Sequence, residues 1–96
     1  MTLESVTKSI VDVIEELQRA SGRACGELTG STKPIGDLEG FDSLSAIEAT
    51  IAIEAALGQG LGTDNVLVAE ISGRKRALTI AQVAERIVKL LKIKVA

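Results

Sequence analysis

Apolar residues recur at helical spacing over the first twenty positions of the chain, and polar residues fill the positions between them. Thr2 is a suitable N-cap, and Gly22 can take the left-handed conformation that ends a helix. The pattern therefore predicts a first helix from Leu3 to Ala20. Its apolar stripe consists of Leu3, Val6, Ile10, Val13, Ile14 and Leu17.

The same periodicity returns near the C-terminal end of the chain. Thr79 and Gln82 have the spacing of a capping box, in which the threonine caps the helix and the glutamine reaches back to the cap residue. This arrangement predicts a last helix that packs through one face. Its apolar stripe consists of Ile80, Val83, Ala84, Ile87, Leu90 and Leu91.

The pattern in the middle of the chain predicts a helix from Ser43 to Leu57, here called the middle helix. This helix is apolar on nearly every side. Glu48 and Glu54 are its charged residues. Such a helix is buried on both sides or presents an apolar edge to a partner. Because a small chain seldom buries a whole helix, we expect one edge to meet other proteins; alternatively, both edges belong to the core. The two edges are Leu44, Ile47 and Ile51, and Ala49, Ile53 and Leu57.

Two glycine-rich segments connect these helices. The first is a long loop over residues 22–41, which we expect to contact the helices through Leu28, Ile35 and Leu38. In the second, residues 65–71 suit either a short helix or a short strand. The predicted fold class is all-α: one domain over residues 1–96, a bundle of three or four helices with a long loop between the first two.

Composition narrows the functions that the chain can have. The formal net charge of −2 argues against a general nucleic-acid binder, which usually shows a basic face. The absence of histidine removes the usual general base and the usual zinc ligand, so we expect neither an enzyme nor a metal site. The single cysteine, Cys25, then lacks an activating base and fits a reducing compartment. We expect a cytoplasmic protein, since no segment has the length of a membrane span and the first residues lack a signal peptide.

The start of the middle helix carries the residues best suited to chemistry. Asp42 is a good N-cap, because its carboxylate can accept the unpaired N–H groups of the first turn. Ser43 follows in that turn, where its hydroxyl should stand in solvent beside the positive end of the helix dipole. A helix start also suits a phosphate group. The site is therefore suited to a serine that carries a covalent phosphodiester.

This stretch resembles the attachment site of acyl carrier proteins. The family pattern is Asp-Ser-Leu, then an aliphatic residue and a glutamate about one turn later, and it is matched by Asp42, Ser43, Leu44, Ile47 and Glu48. Helix order and the long loop extend the resemblance over roughly residues 3–91. The resemblance implies that Ser43 bears 4′-phosphopantetheine, whose thiol holds an acyl group as a thioester, with Asp42 and Leu44 beside the attachment point. It also favours a short helix at residues 65–71.

The resemblance further implies partners for the chain. A phosphopantetheinyl transferase would attach the arm, and acyl-loading and acyl-using enzymes would bind the edge formed by Leu44, Ile47, Glu48 and Ile51. The carrier would be a monomer with no nucleic-acid partner and no stable membrane insertion. Alternatives are an aminoacyl or peptidyl carrier, or a small helical interaction module without a prosthetic group.

Two features depart from the usual family pattern. The middle helix is less acidic than in many members, and a basic segment runs from Arg74 to Arg76. That segment is either a solvated loop or a contact for an acidic partner or phosphate. Both departures lead us to expect a specialised carrier in a fatty-acid, lipid or polyketide pathway.

Overall fold

Four helices and one two-stranded hairpin make up the part of the chain that the structure describes. This computed structural model covers residues 2–95, with side chains described up to Lys92. The elements follow in the order α1 (Leu3–Ala20), α2 (Pro34–Asp37), α3 (Ser43–Leu57), β1 (Val68–Ile71), β2 (Arg74–Ala77) and α4 (Ile80–Val95). No helix within this range combines the length and the apolar character needed to cross a membrane. The fold is mostly helical, as predicted. It is not a purely all-α bundle, because it also contains a two-stranded sheet.

The first helix has the bounds that the sequence predicts. At its start, Thr2 Oγ1 accepts a hydrogen bond from Ser5 N at 3.1 Å, and Ser5 Oγ accepts one from Thr2 N at 3.1 Å, which completes a capping box. At its end, Gly22 takes the left-handed conformation with φ of 69°. Most of the predicted stripe faces the core, but Leu3 is 48% exposed because it lies in the first turn.

Helix α4 also agrees with its sequence pattern. Thr79 N donates to Gln82 Oε1 at 2.9 Å, and Gln82 N donates to Thr79 Oγ1 at 3.2 Å, so the predicted capping box is confirmed. The apolar stripe of α4 is buried, apart from the half-buried Leu90. Both α3 and α4 pack against α1, which makes these three helices the frame of the molecule.

The core between these elements is aliphatic, with Phe41 as its aromatic member. Each large aliphatic side chain buried there stabilises the fold by about 1.5–3 kcal/mol relative to its exposed state. The core draws on the three long helices and on the segment before β1. Its largest buried side chains include Ile10, Ile14, Ile53, Leu61, Leu67, Ile80 and Ile87.

Residues 68–77 form an antiparallel hairpin, so the short helix predicted for residues 65–71 is wrong. Ser72 and Gly73 connect the strands with φ of 54° and 77°, and two successive positive φ angles are typical of the type I′ turn that suits a hairpin. The register pairs Ile71 with Arg74. The β-branched residues of β1 favour a strand, and Gly73 takes its positive φ at little cost because it has no Cβ. The basic segment Arg74–Arg76 is therefore part of a strand and not a loop.

Candidate functional site

The chain that leads into α3 is held by two polar side chains. Gln18 is buried, and its Nε2 donates to the carbonyl oxygens of Ala24 at 3.0 Å and Glu39 at 2.9 Å. Arg23 Nη1 donates to Gly40 O at 2.7 Å. The bonds of Gln18 tie the two ends of the long loop to α1, and the bond of Arg23 joins these ends to each other. The start of α3 is therefore fixed relative to the helical frame.

The long loop is also held by apolar contacts. Leu28, Ile35 and Leu38 are half-buried and pack against the core, as the sequence predicts. Phe41 follows as a buried residue, 4% exposed, directly before the N-cap of α3. The chain thus enters the core at Phe41 and returns to the surface at the next residue, which leaves Ser43 exposed.

Asp42 is the N-cap of α3, as predicted. Its Oδ1 accepts hydrogen bonds from Ser45 N at 3.0 Å and from Ser45 Oγ at 3.2 Å. The bond from the backbone of Ser45 lowers the pKa of the Asp42 carboxyl below its usual range, because it stabilises the charged form. The side chain of Asp42 is thus committed to holding the first turn of the helix.

Ser43 is exposed in the first turn of α3, and its hydroxyl makes no hydrogen bond to any other described residue. Among the described residues, no side chain accepts the proton of the Ser43 hydroxyl as a general base would. An outside enzyme can still reach the hydroxyl. The arrangement therefore suits a serine that receives a group from another protein.

One side of α3 presents large apolar side chains to solvent. Leu44 is 64% exposed, Ile51 is 61% exposed and Ile47 is 37% exposed, with the exposed Glu48 beside them. The alternative that these residues belong to the core is wrong. The opposite side of α3 is buried through Ala46, Ala49, Thr50 and Ile53, and Leu57 is half-buried. The exposed residues Leu44, Ile47, Glu48 and Ile51 are called the α3 edge below.

A groove of about 700 Å³ opens beside Ser43. Ser43 and Ile47 of α3 form one wall, and Ile35 of α2 also lines the groove. The groove was not predicted from the sequence, because its facing wall includes part of residues 65–71, which were predicted as a helix. The Ser72-Gly73 dipeptide was the sequence signal for the turn of the hairpin. That wall consists of Thr63, Asp64, Asn65, Val68, Glu70, Lys75 and Ala77.

Other reactive groups do not gather at this site. Cys25 is half-buried, and burial raises the pKa of its thiol, which disfavours the nucleophilic thiolate. No cluster of three or more histidine, cysteine, aspartate or glutamate side chains that could hold a metal ion occurs among the described residues. Ser43 and the groove are therefore the features that a functional interpretation has to explain.

Comparisons of the chain with protein-family models, with curated proteins and with solved structures find no match. Interpretation of the site therefore depends on the chain's own residues and on the resemblance at residues 42–48. Those residues place an exposed serine, a helix N-cap and an apolar edge together at one end of α3.

Proposed function

We propose that the chain is an acyl carrier protein, which bears 4′-phosphopantetheine on Ser43 and carries acyl groups as thioesters on that arm. One observation carries the proposal: an exposed serine, whose hydroxyl makes no hydrogen bond to another described residue, stands in the first turn of a capped helix, next to an exposed apolar edge. Modification by another enzyme requires a reachable hydroxyl, and recognition by that enzyme requires an exposed surface close by. Both lie at the same end of α3.

The residues around Ser43 fit a phosphopantetheine arm. The groove beside the serine has a volume of about 700 Å³, which lies within the range of small-molecule sites. The arm contains amides, a hydroxyl and methyl groups, and the groove offers both polar and apolar side chains. The thiol at the end of the arm supplies the chemistry, since it forms the thioester that holds the cargo.

Each residue of the site would then have a distinct part. Ser43 Oγ would form a bond to the phosphorus of coenzyme A next to the pantetheine, the phosphoanhydride bond would break, and adenosine 3′,5′-bisphosphate would leave. The proton of the hydroxyl would pass to a base of the transferase, because no described residue accepts it at Ser43. Asp42 would keep the first turn of α3 in place through its bond to Ser45 N.

The α3 edge would bind the enzymes that modify, load and unload the carrier. Leu44 and Ile51 expose apolar surface that a monomeric protein gains little by leaving in water. Glu48 adds a charge beside them that can select among partners. The partners proposed are a phosphopantetheinyl transferase and acyl-transferring enzymes, in the cytoplasm and in a specialised fatty-acid, lipid or polyketide pathway, with the carrier acting as a monomer.

The direct test is the intact mass of the protein after incubation with coenzyme A and each of two phosphopantetheinyl transferases of different specificity. We expect the wild type to gain the mass of one phosphopantetheinyl group and Ser43→Ala to gain none. Ser45→Ala is the matched control, because it removes a nearby hydroxyl but keeps the backbone N–H that Asp42 binds. No gain on the folded wild type, or a gain that survives Ser43→Ala, would contradict the proposal and favour an interaction module without a prosthetic group.

A further inference from the structure

We propose that Lys75 binds the phosphodiester on Ser43, so that the hairpin wall of the groove holds the arm against the protein. This inference rests on the proposed function. It assigns the hairpin the task of holding the prosthetic arm. Lys75 belongs to the basic strand β2, which the resemblance to acyl carrier proteins does not account for. Lys75 and Ser43 line the same groove, and the register of the two strands shows which face of the hairpin lines it.

The register divides the hairpin into two faces. Successive residues of a strand point to opposite faces, and residues paired across strands share a face. Lys75 pairs with Glu70, and Ala77 pairs with Val68. All four of these residues line the groove that contains Ser43.

The other two basic residues of β2 lie on the opposite face. Arg74 pairs with Ile71, and Arg76 pairs with Ala69, and none of these four residues lines the groove. The three neighbouring cations of β2 therefore differ in position: Lys75 faces the groove, whereas Arg74 and Arg76 face away. This difference supplies a control within one strand.

Lys75 is the single cation among the described residues that line the groove, whose acidic members are Asp64 and Glu70. The ion pairs found within residues 2–92 join Lys8 to Asp12 and Arg19 to Glu16, so the ammonium group of Lys75 is not engaged in one. A phosphodiester carries one negative charge, which Asp64 and Glu70 repel and Lys75 attracts. The charge arrangement therefore points to Lys75 as the contact for phosphate.

The groove has further groups that suit an amide-bearing chain. Asn65 Oδ1 accepts a hydrogen bond from Leu67 N at 3.1 Å, and the NH₂ group of Asn65 donates to no described residue. This donor is free to bind a carbonyl oxygen of the arm. Ile47 and Val68 line the same groove and offer apolar contact to its methyl groups. Lys75 and Asn65 together can hold a chain that begins at Ser43.

The test compares ¹H–¹⁵N and ³¹P NMR spectra of the apo and the phosphopantetheinylated protein, with intact mass recorded on each sample. In the wild type we expect attachment to shift the amide signals of Asn65, Val68 and Lys75, which are distant from Ser43 in sequence. In Lys75→Gln we expect the equilibrium constant between the bound and the free arm to fall about two- to fivefold, as for loss of an exposed ion pair. The ³¹P signal should move towards that of a free phosphodiester.

Two variants control this result. Arg74→Gln removes the same charge from the outer face of β2, so it should leave the shifts at the groove unchanged. Lys75→Arg keeps a cation at the groove and should retain most of the effect. Circular dichroism of each variant reports whether the fold is intact.

The outcomes separate the two proposals. If the wild type gains the mass but the shifts are confined to residues near Ser43, the role of Lys75 is overturned and the carrier function stands. The same holds if the wild type and Lys75→Gln show equal shifts. An equal loss in Arg74→Gln means that general charge and not the groove contact is responsible, and it also overturns the inference. No mass gain on the folded wild type removes the proposed function and this inference with it.

Discussion

The two sides of α3 have similar apolar composition but opposite environments. Ala46, Ala49 and Ile53 are fully buried, whereas Leu44 and Ile51 are more than half exposed. The buried side is built mainly from small residues, which let α3 approach its neighbours closely. The exposed side carries larger apolar residues that the fold does not use. This difference indicates that the fold needs one side of α3, and that the other side is available to a partner.

A polar residue within the buried side makes the contrast sharper. Thr50 is 1% exposed, and its Oγ1 donates to Ala46 O at 2.8 Å and accepts from Val66 N at 3.0 Å. The threonine thus joins α3 to the segment that leads into β1. The buried side therefore provides both packing and a specific link to the groove wall, and the exposed side provides neither.

The largest expected effect comes from truncating matched isoleucines on the two sides. Ile53→Ala removes a fully buried side chain and should lower the free energy of unfolding by about 2–5 kcal/mol. Ile51→Ala, at a position that is 61% exposed, should change it by less than about 0.5 kcal/mol. Urea unfolding followed by circular dichroism measures both values. Equal losses would mean that the two sides of α3 do not differ as described.

The next largest expected effect is the loss of stability when the hydrogen bond from Val66 N to Thr50 Oγ1 is removed. Thr50→Val keeps the shape of the side chain but leaves the buried N–H of Val66 without its acceptor, which should cost about 1–3 kcal/mol of unfolding free energy. Thr50→Ser retains the hydroxyl and should lose less. Hydrogen exchange at the Val66 amide provides a local measurement. An amide that remains as protected in Thr50→Val as in the wild type would show that the bond is unimportant.

Truncation of the exposed side should affect recognition and leave folding intact. We expect Leu44→Ala and Ile51→Ala each to lower kcat/KM of the phosphopantetheinyl transferase about five- to thirtyfold, as for residues that contribute strongly to an interface. Leu3→Ala is the control, since Leu3 is an apolar residue of similar exposure, 48%, on another helix. A similar loss in all three variants would assign the effect to general hydrophobicity and not to the α3 edge.

The smallest expected effect is on stability, and it concerns the charge of Asp42 at the N-terminal end of α3. The pKa of Asp42 is lowered in the folded protein, because its carboxylate accepts the hydrogen bond from Ser45 N. The charged carboxylate therefore adds stability above its unfolded pKa, and this contribution is lost as the pH falls through the lowered pKa.

The variant for this test is Asp42→Asn, which keeps a good N-cap and removes only the charge. We expect the wild type to be the more stable of the two at neutral pH, and the difference in urea midpoint to disappear in acid. A difference that does not change with pH would mean that the charge of Asp42 does not contribute through this bond.

The helices could be predicted from the sequence because their determinants are local. The stripe of α1, the capping box at Thr79 and Gln82, and the N-cap Asp42 all lie within a few residues of the elements that they define. The bounds of α1 and α3 agree with the prediction, as does the left-handed Gly22 after α1. Local patterns also placed Ser43 in the first turn.

Contacts between residues that are distant in sequence decide which side of α3 is buried and whether the hairpin forms. Leu44 and Ile53 are both aliphatic, so periodicity alone could not decide which one is buried. Residues 65–71 are a short apolar run, which suits a helix or a strand until its pairing partner is known. That partner is β2, whose charges made it resemble a solvated loop. The groove beside Ser43 could not be predicted because it depends on this pairing.

The central claim is that Ser43 carries a prosthetic arm, and the most direct measurement is the intact mass of the protein isolated from its native host, with fragmentation to locate any added group. We expect the added mass of a phosphopantetheinyl group, with or without an acyl cargo, on the peptide that contains Ser43. Recovery of the folded protein entirely at its unmodified mass, from cells in which other carriers bear the arm, would contradict the claim.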